Sequence, residues 1–222
     1  MAMAVSTAVL KTVPLFTSFP EDYLRMLTAV VTRKSAPRST TIMASGDAID
    51  SLYMILSGRL KVMMSDSDGK EVILSILGPG EFFGEMGLID DSPRSASVVA
   101  IEACELLAIT KRDFKKCLAE NFEMAMAVMR GLVRRLREAD RKIGSLALLD
   151  VYGRVARLLL DMSEMVDGQK IVARRLTKQD IGRMVGASRE MVTRVMKDLE
   201  TSGYFEVRGS TIVLRDTTAP PR

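Results

Sequence analysis

The pattern of hydrophobic and polar residues divides the chain into segments of different secondary structure. Residues 6–33 have a helical pattern, in which Pro20 marks the entry to a helix over about residues 21–31. From residue 35 to residue 109, short apolar segments alternate with turns rich in Gly, Pro, Ser and Asp, which predicts an antiparallel β sandwich or jelly roll. The predicted strands are Thr40–Ala44, Ser51–Leu56, Arg59–Met64, Glu71–Leu77, Ala96–Ala100 and Glu105–Ile109.

A long helical pattern begins at Lys111 and continues to about Leu148. Within it, apolar residues alternate at spacings of four and three over about three heptads, which is typical of a two-stranded coiled coil. This seam predicts that two copies of the chain pair through the helix. The alternative is a helix that packs on its own sandwich. The seam residues are Ala125, Met129, Leu132, Leu136, Ala139, Ile143 and Leu146.

The chain then continues with a predicted helix over roughly Val151–Met165, capped by Asp150, and a short strand, Lys170–Arg174. A turn at Asp167 and Gly168 joins the two.

Residues 176–205 show two short amphipathic segments around a glycine. Thr177 and Asp180 form a capping-box pattern at the start of the first segment, and Gly186 supplies a residue that can leave a helix at positive φ. Ser188 caps the second helix. The apolar residues of that helix fall at helical spacing and are Val192, Val195, Met196 and Leu199.

The opposite face of this second helix carries long hydrogen-bonding side chains, as reading of the DNA major groove requires. Two predicted strands follow, Tyr204–Val207 and Thr211–Leu214, with a Gly turn at residues 208–210 that indicates a β wing. We therefore predict a winged helix-turn-helix. An ordinary pair of antiparallel helices with a solvated polar face is the alternative. The polar residues of the second helix are Arg189, Glu190, Thr193, Arg194 and Lys197.

The N-terminal and C-terminal parts of the chain differ in net charge. Residues 1–129 hold 13 Lys and Arg against 16 Asp and Glu, whereas residues 130–142 hold 6 against 2 and residues 151–222 hold 13 against 9. The basic C-terminal part of the chain predicts contact with a polyanion. No apolar run approaches the length of a membrane span and the N-terminus lacks a signal peptide, so we expect a cytoplasmic protein with no membrane contact.

Residue types that are missing narrow the chemistry further. Because the chain has no histidine, a His-based catalytic triad and a His-ligated metal site are excluded. Cys104 and Cys117 lie far apart without a CxxC pair, so neither a zinc ribbon nor an iron–sulfur cluster is indicated and we expect no metal.

A second constellation of candidate functional residues lies at residues 78–96, where GPGEFFGEMGL is followed by PRSA. Its glycines and charged residues could cradle a sugar phosphate. Backbone N–H groups and Arg94 would face the phosphate, and Glu85 would accept a hydrogen bond from a ribose hydroxyl. The alternative is a Gly-rich turn with an Arg–Glu ion pair.

In combination, these features resemble bacterial transcription regulators of the cyclic AMP receptor protein (Crp/Fnr) family. The resemblance covers about residues 15–214 and is most specific in FFGEMGL with RSAS, in RKIGSLALLDVYGRVARLLL, and in TKQDIGRMVGASREMVTRV with the wing RGSTIV. It implies an α+β fold in three parts. An N-terminal β jelly-roll cyclic-nucleotide-binding domain would span 1–122, a long dimerisation helix with a hinge 123–149, and a C-terminal winged helix-turn-helix DNA-binding domain 150–222.

For the nucleotide, the resemblance implies that Gly84 and Glu85 line the ribose and that Arg94 and Ser95 hold the cyclic phosphate. The partners that it implies are double-stranded DNA, a second copy of the chain in a homodimer, and RNA polymerase.

The expected contact to the base departs from the family pattern. Where cyclic AMP-responsive members carry adjacent Thr and Ser, this chain has Ala139 and Asp140. An ionised carboxylate can pair with the two donors of a guanine edge, but Asp140 could also take the adenine amine or be a solvated charge. The effector therefore stays open between cyclic AMP and a guanine-based messenger, cyclic di-GMP or cyclic GMP.

For DNA, the resemblance implies that Arg189, Glu190 and Arg194 read base edges. Arginine suits guanine O6 and N7, and glutamate suits the cytosine amine, so we expect TGTGA-like half-sites in an inverted palindrome. The residues expected to contact phosphates are Thr177, Lys178, Gln179, Ser188 and Arg208.

The sequence thus predicts a dimeric, sequence-specific transcription regulator under allosteric control by a cyclic nucleotide. We do not expect an enzyme, because no metal cluster or partnered base accompanies Glu85 and Arg94. The alternative function is a constitutive DNA binder whose sandwich serves only as a dimerisation or interaction scaffold.

Overall fold

The computed structural model describes residues 5–17, 19–173, 176–209 and 211–215. It divides into two units, Met1–Arg135 and Leu136–Arg222.

The first unit starts with short helices and continues as a β sandwich. Helices α1 (Thr7–Lys11) and α2 (Glu21–Thr28) flank a 3-10 turn at Pro14–Phe16. The strands that follow are β1 (Val31–Ala36), β2 (Thr41–Met43), β3 (Ser51–Ser57), β4 (Leu60–Ser65), β5 (Glu71–Leu77), β6 (Phe82–Phe83), β7 (Ser97–Ala100) and β8 (Cys104–Thr110). They form two four-stranded antiparallel sheets, with strand orders β1-β8-β3-β6 and β2-β7-β4-β5, which confirms the predicted jelly roll. Helix α3 (Glu85–Asp90) lies between β6 and β7.

Strand β1 was not predicted, and its first residue was assigned to a helix. That helix, α2, ends at Thr28, and Val31 already pairs with Ile109 of β8. The charged pair Arg33 and Lys34 interrupts the apolar alternation of β1, so pairing with a distant strand, rather than local pattern, creates the strand.

Strand β3 is apolar along most of its length because its sheet is covered on both faces. Leu52 and Met54 pack against the core formed with the helices, whereas Tyr53 and Ile55 face the second sheet. Successive side chains of a strand point to opposite faces. The continuous apolar run therefore marks the central layer of the unit.

The helical region after β8 consists of two helices. Helix α4 spans Lys111–Glu120 and helix α5 spans Phe122–Leu148. Asn121 separates them because its backbone is extended, with φ of −136° and ψ of 102°. Its side-chain oxygen accepts a hydrogen bond from the backbone N–H of Met124 at 3.0 Å, so it acts as a cap for α5.

The part of the second unit that follows α5 confirms the predicted winged helix-turn-helix. Its sheet is antiparallel with strand order β11-β12-β10-β9, and its core combines residues of α6, α7, α8 and the strands. None of the helices in the described part of the chain is long and apolar enough to cross a membrane. The elements are α6 (Val151–Asp161), β9 (Glu164–Val166), β10 (Gln169–Ala173), α7 (Lys178–Val185), α8 (Arg189–Thr201), β11 (Phe205–Arg208) and β12 (Thr211–Leu214).

One predicted boundary in this unit is wrong. Helix α6 ends at Asp161 rather than Met165, since residues 164–166 form β9 and pair with β10. Asp167 and Gly168, both at positive φ, make the tight turn between these strands. Two residues with predicted roles in strands or turns, Arg174 and Ser210, lie outside the described residues.

Candidate functional site

The Gly-rich segment after β6 folds around the side chain of Arg94. Gly84 has a φ of 83°, in the left-handed region that favours glycine. A Cβ at this position would lie 2.6 Å from Nη1 of Arg94. Glycine is therefore required both by the backbone conformation and by the close approach of the guanidinium.

Arg94 is 5% exposed and is held by backbone and side-chain acceptors. Nη1 donates to the Gly84 carbonyl at 2.6 Å, and Nη2 donates to the Ser51 carbonyl at 2.6 Å and to Asp50 Oδ1 at 3.0 Å. Its carboxylate partner is thus Asp50 and not Glu85, contrary to the ion pair in the alternative interpretation of the motif. These bonds leave the Nε–H and one Nη1–H for another acceptor, such as a phosphate oxygen.

Glu85 places a carboxylate beside the hydrogen bonds of Arg94, and only one of its two oxygens has a hydrogen-bond partner among the described residues. Its side chain is 1% exposed, and Oε1 accepts a hydrogen bond from Nη1 of Arg135 at 2.5 Å. Oε2 is also buried, and it has no hydrogen-bond partner among the described residues. A buried acceptor without a partner is costly, so the arrangement suits a ligand that donates a hydrogen bond, such as a sugar hydroxyl.

Arg135, in α5, also belongs to this site and, like the acceptors Asp50 and Ser51, was not predicted from the sequence. Besides Glu85, it donates to the Phe82 carbonyl, and its guanidinium carbon lies 5.0 Å from the centre of the Phe82 ring. A signal was present in the spacing of Met124, Val128, Gly131 and Arg135 by four, three and four residues. The first three of these are buried on the face of α5 that packs against the first unit.

The other residues predicted to contact the nucleotide are exposed, unlike Glu85 and Arg94. Ser95 is exposed, and its hydroxyl lies 3.8 Å from the sulfur of Met86. Ala139 and Asp140 are exposed on the part of α5 that belongs to the second unit. The structure therefore brings Gly84, Glu85 and Arg94 together, and the contacts to the base stay a prediction.

The two helices of the helix-turn-helix begin and end as predicted, because each terminus has its own local hydrogen bonds. Thr177 Oγ1 accepts from the Asp180 N–H at 3.1 Å, and Asp180 accepts in return from the Thr177 N–H at 3.2 Å. Gly186 ends α7 at φ 67°. Ser188 Oγ accepts from the Met191 N–H at 3.1 Å and starts α8.

The predicted readers Arg189, Glu190 and Arg194 are all exposed on the first two turns of α8. The opposite face of the helix is buried in the core of the second unit. Hydrogen bonds from its own backbone N–H and from the Ser188 hydroxyl hold the pKa of Glu190 below its usual value. Glu190 therefore remains an ionised acceptor at neutral pH, as pairing with a cytosine amine requires.

The residues expected to contact phosphates differ in their availability. Lys178 shares a groove with Thr193 and Lys197 of α8, and Gln179 is exposed. The Thr177 hydroxyl also donates to Asp180 at 2.7 Å. The other three predicted phosphate contacts already have partners within the chain, which a phosphate would have to share or displace. Thr177 and Ser188 cap their helices, and Arg208 pairs with Glu206.

The cap at Thr177 gives a test of the local fold. Thr177→Ala removes the hydroxyl that bonds to the Asp180 N–H, so we expect a loss of about 1 kcal/mol in the free energy of unfolding of the second unit. Urea unfolding followed by circular dichroism measures this loss. Thr201→Ala, at the exposed end of α8, is the matched control and should change stability by less than about 0.5 kcal/mol. Equal effects of the two variants would contradict the capping role.

Comparison with protein families gives two matches. A model of the cyclic nucleotide-binding domain matches residues 33–121, and a model of the Crp-like helix-turn-helix domain matches residues 153–219. The cAMP-activated global transcriptional regulator Vfr of Pseudomonas aeruginosa is 38% identical over 205 residues, which cover 88% of this chain and 94% of Vfr. The cAMP-activated global transcriptional regulator CRP of Salmonella typhimurium is 38% identical over 188 residues, with 82% and 88% covered.

Solved structures show the same similarity. The c-di-GMP responsive global regulator CLP of Xanthomonas campestris is 30% identical with a TM-score of 0.74, and the match covers 89% of this chain and 100% of CLP. The catabolite activator protein of Thermus thermophilus is 31% identical with a TM-score of 0.54, covering 91% and 93%.

Proposed function

The chain belongs to the Crp family of cyclic-nucleotide-binding transcription regulators, and from this premise we propose that it is a homodimer whose binding to palindromic DNA is controlled by a cyclic nucleotide. The proposal includes a cytoplasmic location and RNA polymerase as a partner. The relatives are named transcription regulators, so we assign no catalytic activity to the chain.

The buried carboxylate of Glu85 is the observation that carries the proposal. Its Oε2 lacks a partner among the residues described, while Oε1 is fixed by Arg135. We propose that a ribose hydroxyl donates to Oε2, and that the remaining N–H groups of Arg94 donate to the cyclic phosphate, with Ser95 at the edge of the site. Hydrogen bonds to charged groups contribute about 1.5–3 kcal/mol each, which is enough for specific recognition of a sugar phosphate.

The effector is either cyclic AMP or a guanine-based messenger. Vfr and CRP are named cAMP-activated, whereas CLP is described as c-di-GMP responsive, so membership of the family is compatible with both. We propose Asp140, with Ala139 beside it, as the contact to the base. Its carboxylate supplies only acceptors, which suits the paired donors of guanine in cyclic di-GMP or cyclic GMP as well as the amine of adenine.

An apolar stripe on α5 supports the proposed homodimer. Leu132 of the predicted seam packs against the core of the first unit, whereas the other large seam residues are exposed. A surface helix with several large exposed apolar residues in a regular stripe is the usual sign of a partner helix. The exposed seam residues are Met129, Leu136, Ile143 and Leu146.

For DNA, we propose that Arg189, Glu190 and Arg194 read TGTGA-like half-sites. Their exposure on the first turns of α8 supports this role. A two-fold dimer would place the two helices in successive major grooves, about 34 Å apart.

We propose that the nucleotide acts through α5. This helix carries Arg135, which bonds to Glu85, and it continues to Leu148 in the second unit. A ligand that changes the position of this helix would change the spacing of the two recognition helices. Such coupling requires a difference in affinity between the two states, typically about 1–3 kcal/mol.

Calorimetric titration of the purified protein with cyclic AMP, cyclic GMP and cyclic di-GMP tests the proposed effector. We expect one of them to bind, and we expect it to change operator affinity, measured by fluorescence anisotropy, by about 5- to 150-fold. Glu85→Gln keeps the shape of the side chain but removes its charge, and should weaken nucleotide binding by about tenfold.

The same measurements identify the alternative function. A protein that binds operator DNA equally well with and without all three nucleotides, and shows no heat of nucleotide binding, is a constitutive DNA binder. If the Glu85→Gln variant binds the nucleotide with unchanged affinity, the nucleotide does not contact Glu85.

A further inference from the structure

Gly131 occupies the middle of α5, where glycine is unfavourable relative to alanine. A Cβ on Gly131 would lie 2.6 Å from Cζ and 2.9 Å from Cε1 of Phe82. Carbon atoms in ordinary contact are about 3.5–4.0 Å apart. No larger residue therefore fits at this position unless the helix and the ring separate by about 1 Å.

Phe82 has little freedom to move away. Its side chain is 7% exposed and belongs to the core between the sheet and the helices. Its backbone is fixed as well, because β6 pairs with Met54 of β3. Protein interiors are close-packed and transmit such strain, so an added methyl group at Gly131 would displace α5 rather than the ring.

The residue that depends on this close approach is Arg135. It follows Gly131 by four residues and so lies on the same face of α5. From there it stacks on the Phe82 ring, donates to the Phe82 carbonyl and donates to Glu85 Oε1. All three contacts join α5 to the segment Phe82–Glu85, and a shift of the helix of about 1 Å would break hydrogen bonds of this length.

We propose that Gly131 is a positioning residue of the nucleotide site. Its missing side chain lets α5 contact Phe82, which places Arg135 on Glu85 and orients the carboxylate so that Oε2 is left for the ligand. The inference rests on the proposed function for the identity of the ligand, whereas the effect on the Arg135–Glu85 contact can be measured without nucleotide.

The first experiment measures stability in the absence of nucleotide, by urea unfolding at fixed protein concentration. Gly131→Ala should raise the equilibrium constant for unfolding by about tenfold, because the displaced helix loses the hydrogen bonds of Arg135 to Glu85 and to the Phe82 carbonyl. Gly144→Ala is the matched control on the same helix, since a Cβ there would meet no atom of the described chain within 4 Å. It should leave the constant unchanged or lower it by up to about fivefold.

A double variant distinguishes a role of Gly131 in positioning Arg135 from the mere avoidance of a clash with Phe82. In the double variant Glu85→Gln/Arg135→Met, both charges are removed together, so neither is left buried without its partner. If Gly131 acts through Arg135, adding Gly131→Ala in this background should change the unfolding constant by about threefold or less. An equal, tenfold effect in both backgrounds would show that Gly131 only avoids a clash, and would overturn the proposal.

The second experiment measures binding of cyclic AMP, cyclic GMP and cyclic di-GMP by calorimetry. For whichever nucleotide binds the wild-type chain, we expect about tenfold weaker binding by Gly131→Ala and no change in Gly144→Ala. Unchanged affinity in Gly131→Ala contradicts the positioning role. If the wild-type chain binds none of the three nucleotides, the proposed function fails, and the stability comparison still decides whether Gly131 positions Arg135.

Discussion

The Arg94→Leu variant is expected to bind cyclic nucleotide at least about 100-fold more weakly than the wild-type chain, because two hydrogen bonds from a charged donor to the phosphate are lost. The structure adds a cost to folding. Arg94 is 5% exposed and bonds to the carbonyls of Gly84 and Ser51, and leucine removes this donor from both. At about 1–3 kcal/mol for each carbonyl that loses the donor, partly offset by the removal of a buried charge, we expect a loss of about 2–4 kcal/mol in stability.

Nucleotide binding by calorimetry and urea unfolding without nucleotide measure these two effects separately. Arg33→Leu is a matched control, because Arg33 also forms an ion pair in the sandwich, with Glu105 at 2.8 Å, but lies in β1 at the opposite edge of the sheet from β6. It should cost less than about 1 kcal/mol and leave binding unchanged.

Arg94→Lys retains the charge and provides a variant that folds if leucine does not. A lysine ammonium cannot reproduce the planar fork that reaches two carbonyls and that we propose to contact the phosphate, so affinity should fall between those of the wild-type and leucine variants. Wild-type affinity in Arg94→Leu would remove this arginine from the phosphate site.

The Arg189→Ala variant is expected to lose discrimination at one base pair of each half-site. A bidentate contact from arginine to guanine contributes about 1–3 kcal/mol of preference over another base, or about 5- to 150-fold in relative affinity. Arg189 is exposed at the start of α8 and faces away from the core, so alanine should not disturb the fold. Fluorescence anisotropy with operators substituted at each position of the half-site measures the change.

Lys178→Ala is the comparison variant for DNA, because Lys178 begins α7 and is expected to contact phosphate rather than a base edge. It should weaken binding to all sequences alike and reduce the slope of log affinity against log salt by about 1. If Arg189→Ala leaves the sequence preference intact and only weakens binding uniformly, Arg189 contacts phosphate and the reading helix has been assigned wrongly.

Local signals predicted the parts of the fold whose hydrogen bonds are made within a few residues. Thr177 and Asp180, Gly186, and Ser188 were placed correctly at the ends of their helices because each bonds to, or turns, the adjacent backbone. The strands of the sandwich were predicted to within one or two residues where apolar runs are bounded by Gly and Pro turns. Predictions failed at β1, β6 and β9, where pairing with another strand overrides the local pattern.

That Gly84, Glu85 and Arg94 belong to one constellation could be predicted from the amino-acid sequence, since they are near neighbours in the chain and their residue types suit a sugar phosphate. The groups that complete this constellation depend on how the chain folds. Arg135 reaches Glu85 across 50 residues, and two of the three acceptors of Arg94, Ser51 and Asp50, lie 43 and 44 residues before it. Helical spacing could place Arg135 on the buried face of α5 but could not identify its partner, because contacts at such separations are set by which surfaces pack against each other and by how closely a glycine allows them to approach.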